Sequence, residues 1–160
     1  MGEKMYTEAE VCELVAAAIA DRAKWFALFA KYVPSVIFDD AAKKAVWEFG
    51  ARKKSLVKDT PGSTEGMIEY LDSGFGPIVF KTRVESKGPD KSVFIMENCP
   101  LIRGWKEMNC TDEQIAHYCE LICSGDFGLA FECGLNCRFD TLLSRKEPCC
   151  KMVLSVRESK

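Results

Sequence analysis

Residues 111–133 constrain the fold more than any other stretch. They open on Thr111-x-x-Gln114, the pattern of a capping box, in which two side chains and two backbone amides satisfy one another. Apolar positions then recur at helical spacing through Ile115, Tyr118, Ile122 and Leu129, and Gly134 is placed to stop the helix. A long helix is therefore expected here, and any sheet the chain builds has to pack against it.

Strand-like runs flank this helix on both sides. Residues 78–85 and 92–96 are β-rich and joined by Ser86-Lys87-Gly88-Pro89-Asp90, which predicts an antiparallel hairpin. Residues 137–143 and 150–156, joined by 144–149, predict a second. A short helix is expected from Pro100 through Trp105. Upstream, Thr7 caps a predicted helix over 8–32, with Val11, Leu14, Val15, Ala18, Ile19, Arg22, Trp25, Phe26 and Phe29 on its stripe, and Pro34 ends it. A second helix is expected over 39–58, burying Ala42, Ala45, Val46, Phe49 and Leu56. Gly50 sits in the middle of it, suited either to close approach of a backbone or ligand or to a break into two helices. Ser63 caps a third over 64–71. The pattern is α+β: N-terminal helices plus an antiparallel sheet of about four strands, in two hairpins, packed against a long helix. Residues 1–160 make one domain, with 1–6 expected to be flexible.

The net charge of −2 supplies no basic field for nucleic acid or an anionic membrane, and the Lys43-Lys44 and Arg52-Lys53-Lys54 clusters read as a solvated helix face. No stretch reaches the roughly 18 apolar residues of a membrane span, and Met1 to Tyr6 does not resemble a signal peptide. The expected location is the cytoplasm, where thiols stay reduced. The nine cysteines therefore read as free thiols, metal ligands or a reactive site, and the odd count precludes full pairing within the chain.

All the cysteines but Cys12 fall between Cys99 and Cys150. Cys119, Cys123 and Asp126 are spaced to share one face of the central helix. Cys99 precedes Pro100 at a helix start, where the dipole favours a thiolate. Asp126, among apolar neighbours, is a candidate general base with a raised pKa. Metal binding would draw on Cys119-x3-Cys123 and Cys133-x3-Cys137, both looser than the Cys-x2-Cys turns of zinc ribbons, so no metal or other cofactor is expected. His117, the one histidine, lies off the Cys119 stripe. Glycine-rich phosphate loops and the Gly-x-Ser-x-Gly elbow are missing. Because Cys149 and Cys150 are adjacent in a predicted strand, only one of them can face inward.

Four motifs in order carry a family resemblance: Trp47-Glu48-Phe49-Gly50-x-Arg52, Asn98-Cys99-Pro100-Leu101, Cys119-x3-Cys123-x2-Asp126, and Cys150 opening the last strand. Over residues 41–154 the chain resembles the L-2-amino-thiazoline-4-carboxylic acid hydrolase family. It departs from that family at Lys146-Glu147-Pro148-Cys149-Cys150-Lys151, where members have a glycine and acidic residues. More distantly, it looks like the four-vinyl-reductase and trafficking-complex ligand-binding domains, small-molecule-binding folds that often dimerise. The hydrolase resemblance implies attack of water on a cyclic amidine, opening L-2-amino-thiazoline-4-carboxylate to N-carbamoyl-L-cysteine. It implies Cys99 or Cys123 as nucleophile or proton donor, Asp126 as base, Arg52 or Arg103 as carboxylate clamp, and Cys119 and Cys150 at the substrate. The alternative is a non-catalytic small-molecule-binding or redox- or metal-sensing domain of the same fold. That alternative requires a closed apolar pocket with few convergent polar groups. Either way the expected partner is a small molecule, not nucleic acid or membrane, and the resemblance allows a homodimer.

Overall fold

The structure is a computed structural model describing residues 5–158. Of the segment expected to be flexible, residues 1–4 lie outside the described residues, and Met5 and Tyr6 are exposed. Helices α1 (Glu8–Tyr32), α2 (Ser35–Ala51), α3 (Thr64–Leu71) and the single turn α4 (Gly76–Val79) precede strands β1 (Thr82–Ser86) and β2 (Lys91–Met96). Helices α5 (Pro100–Glu107) and α6 (Asp112–Glu132) lead into β3 (Leu135–Thr141) and β4 (Cys150–Val156).

The strands form one antiparallel sheet in the order β1-β2-β4-β3, so the two hairpins meet through β2 and β4. Phe94 stands opposite Met152, and Val93 opposite Val153. The inner face carries Phe94, Met152 and Leu154 against Met67 and Ile68 of α3 and Leu129, Ala130 and Cys133 at the end of α6. The outer face holds a smaller cluster of Val93, Ile95 and Val153, flanked in register by Arg83, Lys151 and Arg138. The sheet is thus one-sided: α6 and α3 cover one face, and long charged side chains flank the other.

Both long helices with capping signals start where those signals stand. Thr7 and Glu10 form a reciprocal capping box on α1, and Thr111 and Gln114 form one on α6. Ser63 caps α3 through the Gly66 amide, and Gly134, at φ 75°, ends α6. Other boundaries differ from expectation. Helix α2 starts at Ser35 and gives way after Ala51 to a tighter helical turn, Arg52–Leu56, in place of one helix over 39–58. The first two residues of the expected 78–85 strand, Ile78 and Val79, instead close α4, because Pro77 occupies its first turn and suits a helix start. Lys81 then turns the chain at φ 49° before β1. Strand β3 begins at Leu135, directly after the Gly134 stop, and ends before a turn at Leu143–Arg145.

The buried stripe of α1 is also shifted. Trp25 and Phe29 are exposed, and the buried positions are Ala16, Ala20, Ala23 and Ala27. Alanines here let α5 approach to backbone distance: a Cβ on Gly104 would lie 2.2 Å from the Ala20 carbonyl oxygen. Helix α2 meets α6 in the same manner. A Cβ on Gly50 would lie 1.8 Å from the Gly125 carbonyl oxygen, and one on Gly128 would lie 2.3 Å from that of Trp47. Gly50 therefore serves close approach of a backbone, one of the roles its position suggested. In α2 the buried positions are Phe38, Ala42 and Gly50; Ala45, Phe49 and Leu56 are exposed.

Candidate functional site

Crossing tightly at Gly50 and Gly125, α2 and α6 diverge around a cavity of about 700 Å³. Its walls come from α1, α2, α3, α5 and α6 and from residues 73–82, with Phe94 and Met96 of β2 as the floor. Most of the lining is apolar, Phe26, Val46, Leu101, Ile122 and Leu129 among it. The polar groups are few: Asp126 from α6, Lys53 from the turn after α2, Arg22 from α1, Tyr70 from α3, the Ser73 and Thr82 hydroxyls, and the Trp105 indole of α5, whose Nε1–H is buried without a partner among the described residues.

Asp126 is the most deeply placed of the titratable ones. Burial pushes its carboxyl up to about 6, opposed only in part by the Lys53 charge. No described residue hydrogen-bonds to it or lies within ion-pair distance. The same burial draws the Lys53 ammonium down and the Tyr70 phenol up. Lys53 Nζ rests 4.2 Å above the centre of the Phe49 ring, a cation–π contact that holds the ammonium near the cavity but off the carboxylate.

The thiols gather elsewhere. Cys119, Cys123 and Cys150 are buried in one apolar cluster, with Cys99 packed against it. None of the four lines the large cavity, so α6 divides the expected stripe: sulfurs on one flank, Asp126 on the other. The ideal spacing placed all three within about one helix face, but that face is wide enough to straddle two neighbours. Cys99 caps α5, where the Leu101 and Ile102 amides favour its thiolate. Burial outweighs them and pushes the thiol up to about 11. The helix-start argument thus gives the right geometry and the wrong balance. Cys150 rises to about 12 through burial, although the Leu143 amide donates to its sulfur at 3.3 Å. Cys119 is held below the usual thiol value chiefly by the Cys123 thiol one turn on, and Cys123 is pushed up in return. Cys150 is the inward member of its pair; Cys149 packs beside Val93, Ile95 and Val153 on the outer face.

Cys99 also borders a second, more open depression of about 520 Å³, shared with Glu97, Ile102 and Arg103. Arg103 pairs there with Glu13 at 2.8 Å, so its charge is already satisfied. Arg52 is exposed and pairs with Glu48 on its own helical turn, away from both cavities. His117 pairs with Asp39 at 3.0 Å on the surface. Among the described residues, no group of three or more His, Cys, Asp or Glu side chains is arranged to hold a metal ion, and no helix is long and apolar enough to cross a membrane.

Sequence reasoning missed Arg22, Lys53 and Tyr70. Arg22 did leave a signal, as the one polar interruption in the predicted α1 stripe. Lys53 was hidden inside a basic run that reads as solvent-facing.

No family model and no curated protein matches the chain. Among solved structures, a trafficking protein particle complex subunit 3 from Naegleria fowleri, covalently bound to palmitic acid, is similar in fold. It matches with a TM-score of 0.55 and 12% identity, over 94% of this chain and 98% of that one. The class defined by this likeness is structural: helices packed on one antiparallel sheet, as in that subunit.

Proposed function

We propose that this chain is a binding domain for an amphipathic small molecule, held in the cavity between α1, α2 and α6. The observation that carries this reading is the cavity itself: about 700 Å³, mostly apolar, with a few polar side chains. That is the form of a site that encloses a ligand body and orients it by one or two groups. The similar subunit 3 carries palmitic acid, which supports an apolar ligand for this fold. No cysteine is among the described residues lining the cavity, so the ligand here is held without a bond to sulfur. The nine free thiols fit work in the cytoplasm, where they stay reduced.

The test is displacement of a neutral apolar dye, Nile red, from the whole chain, with mass analysis of any molecule extracted from the purified protein. Met96→Trp should fill the floor of the cavity and abolish dye binding while leaving the circular dichroism spectrum unchanged. Dye binding that survives Met96→Trp would sink the reading.

A hydrolytic reading has one observation in its favour: Asp126, near 6 in a mostly apolar cavity, is poised as a general base. In that reading Arg22 and Lys53 would hold a substrate carboxylate, and Cys99 and Cys123 would take no part. Addition of one water to L-2-amino-thiazoline-4-carboxylate, lost in Asp126→Asn, would establish it. Absence of turnover by reduced, folded protein would remove it.

A further inference from the structure

We infer that the ligand of this cavity carries a protonated amine on an apolar chain or ring, seated on Asp126. This inference rests on the binding reading above and specifies its head group.

The argument begins with an imbalance. A half-buried carboxylate that lines a mostly apolar cavity loses part of its hydration, and hydrogen bonds or a counter-charge normally compensate. Here no described residue supplies either at contact distance. The group lines the cavity, next in sequence to the Gly50–Gly125 crossing of α2 and α6, and its open side faces that cavity. The missing partner must therefore come from the cavity. A primary or secondary ammonium supplies the counter-charge together with two or three donors, and its hydrocarbon part matches the apolar walls.

The nearest protein cations do not fill that role. Lys53 is drawn toward the Phe49 ring, and Arg22 lies at an exposed position on the α1 side. They would suit an anionic head group, such as a carboxylate, at the mouth. An anionic ligand bound there would run its hydrocarbon past Asp126 and strip away the remaining water without offering a donor. An alcohol offers one donor and no charge. The amine is the head group that resolves the imbalance.

The experiment compares dodecylamine, dodecanol and dodecanoate, each below its micellar concentration, as competitors of Nile red on the whole chain at pH 8. Dodecylamine should bind roughly ten-fold or more tightly than dodecanol, the margin of a charge-assisted hydrogen bond. That margin should vanish in Asp126→Asn, with dodecanol affinity unchanged, and persist in Asp126→Glu, which keeps the charge. Three results would overturn the amine while leaving the binding reading intact: dodecanoate binding tightest, dodecanol matching dodecylamine, or a margin that survives Asp126→Asn. If none of the three displaces the dye, both this inference and the binding reading fail. If Asp126→Asn does not fold, Asp126→Glu together with Lys53→Met decides. The amine predicts a margin kept in the first and equal or larger in the second; a margin reduced in Lys53→Met overturns it.

Discussion

At the scale of residues, Asp126 makes the fold depend on pH. Its carboxyl stands at about 6, against an ordinary value of 3.8, because burial disfavours the charged form. The charged or titratable groups that share its cavity are Lys53 from the turn after α2, Arg22 from α1 and Tyr70 from α3. A carboxyl raised on folding binds its proton more tightly in the native state. Its favourable contribution is complete below about pH 4 and is lost as pH rises through 6. Above pH 7 the ionised group costs on the order of 2–3 kcal/mol. Asp126→Asn should therefore raise the melting temperature at pH 7.5, with the gain shrinking to nothing near pH 4. Thermal melts of both proteins across that range measure it; no gain at pH 7.5 would show that the carboxylate is compensated, and a gain that does not depend on pH would show that ionisation is not its source. The thiols should separate by the same logic. Within the buried group, the Cys123 thiol holds Cys119 below the usual thiol value, whereas burial pushes Cys99 to about 11 and Cys150 to about 12. Brief alkylation at pH 8 followed by peptide mass mapping should label Cys119 before either of those two.

At the scale of elements, the helices are set by caps and by glycine-to-backbone contacts. The caps were legible in the sequence because Thr7, Ser63 and Thr111 act on amides three residues away. Thr111→Ala should accordingly cost about 1 kcal/mol, read as a lower midpoint in urea. The crossings were not legible in the same way. Hydrophobic periodicity ranks Trp25 and Phe29 above Ala20 and Ala23, yet the α1–α5 contact selects the smaller side chains, since only they admit the Gly104 backbone. Gly50 signalled close approach but not its partner, which lies on an element far along the chain. Gly50→Ala would set a methyl group 1.8 Å from the Gly125 carbonyl oxygen. The backbone there cannot move without opening the α2–α6 contact, so the loss should be about 3 kcal/mol. Gly50→Ala should also enlarge the gap beside Asp126 and weaken Nile red binding, whereas Thr111→Ala should leave it unchanged.

At the scale of the whole molecule, the sheet and the long helix were readable because each lies within one contiguous stretch. The cavity was not, because its walls reach from Ile19 to Leu129 and no single stretch contains enough of them to show a void. The fold therefore leaves unfilled a volume that ordinary interiors close-pack, and this volume links ligand binding to global stability. A molecule that binds only the folded chain stabilises it by RT ln(1 + [L]/Kd), about 2.7 kcal/mol at a hundredfold excess over Kd. For a chain of this length that corresponds to a rise of roughly 5–10 °C in melting temperature. The rise should be steepest for ligands that span from Asp126 to the apolar floor at Phe94 and Met96, and should grow with alkyl chain length until the cavity is full. A series of primary alkylamines, melted at a fixed multiple of the measured Kd, separates the two contributions. Equal rises at equal saturation confirm linkage to one folded state, and Kd falling by about 0.8 kcal/mol per added methylene marks burial of each in the cavity. A chain-length dependence that is flat from the shortest amine upward would place the ligand at the mouth, against Arg22 and Lys53, and leave the interior volume without a role in binding.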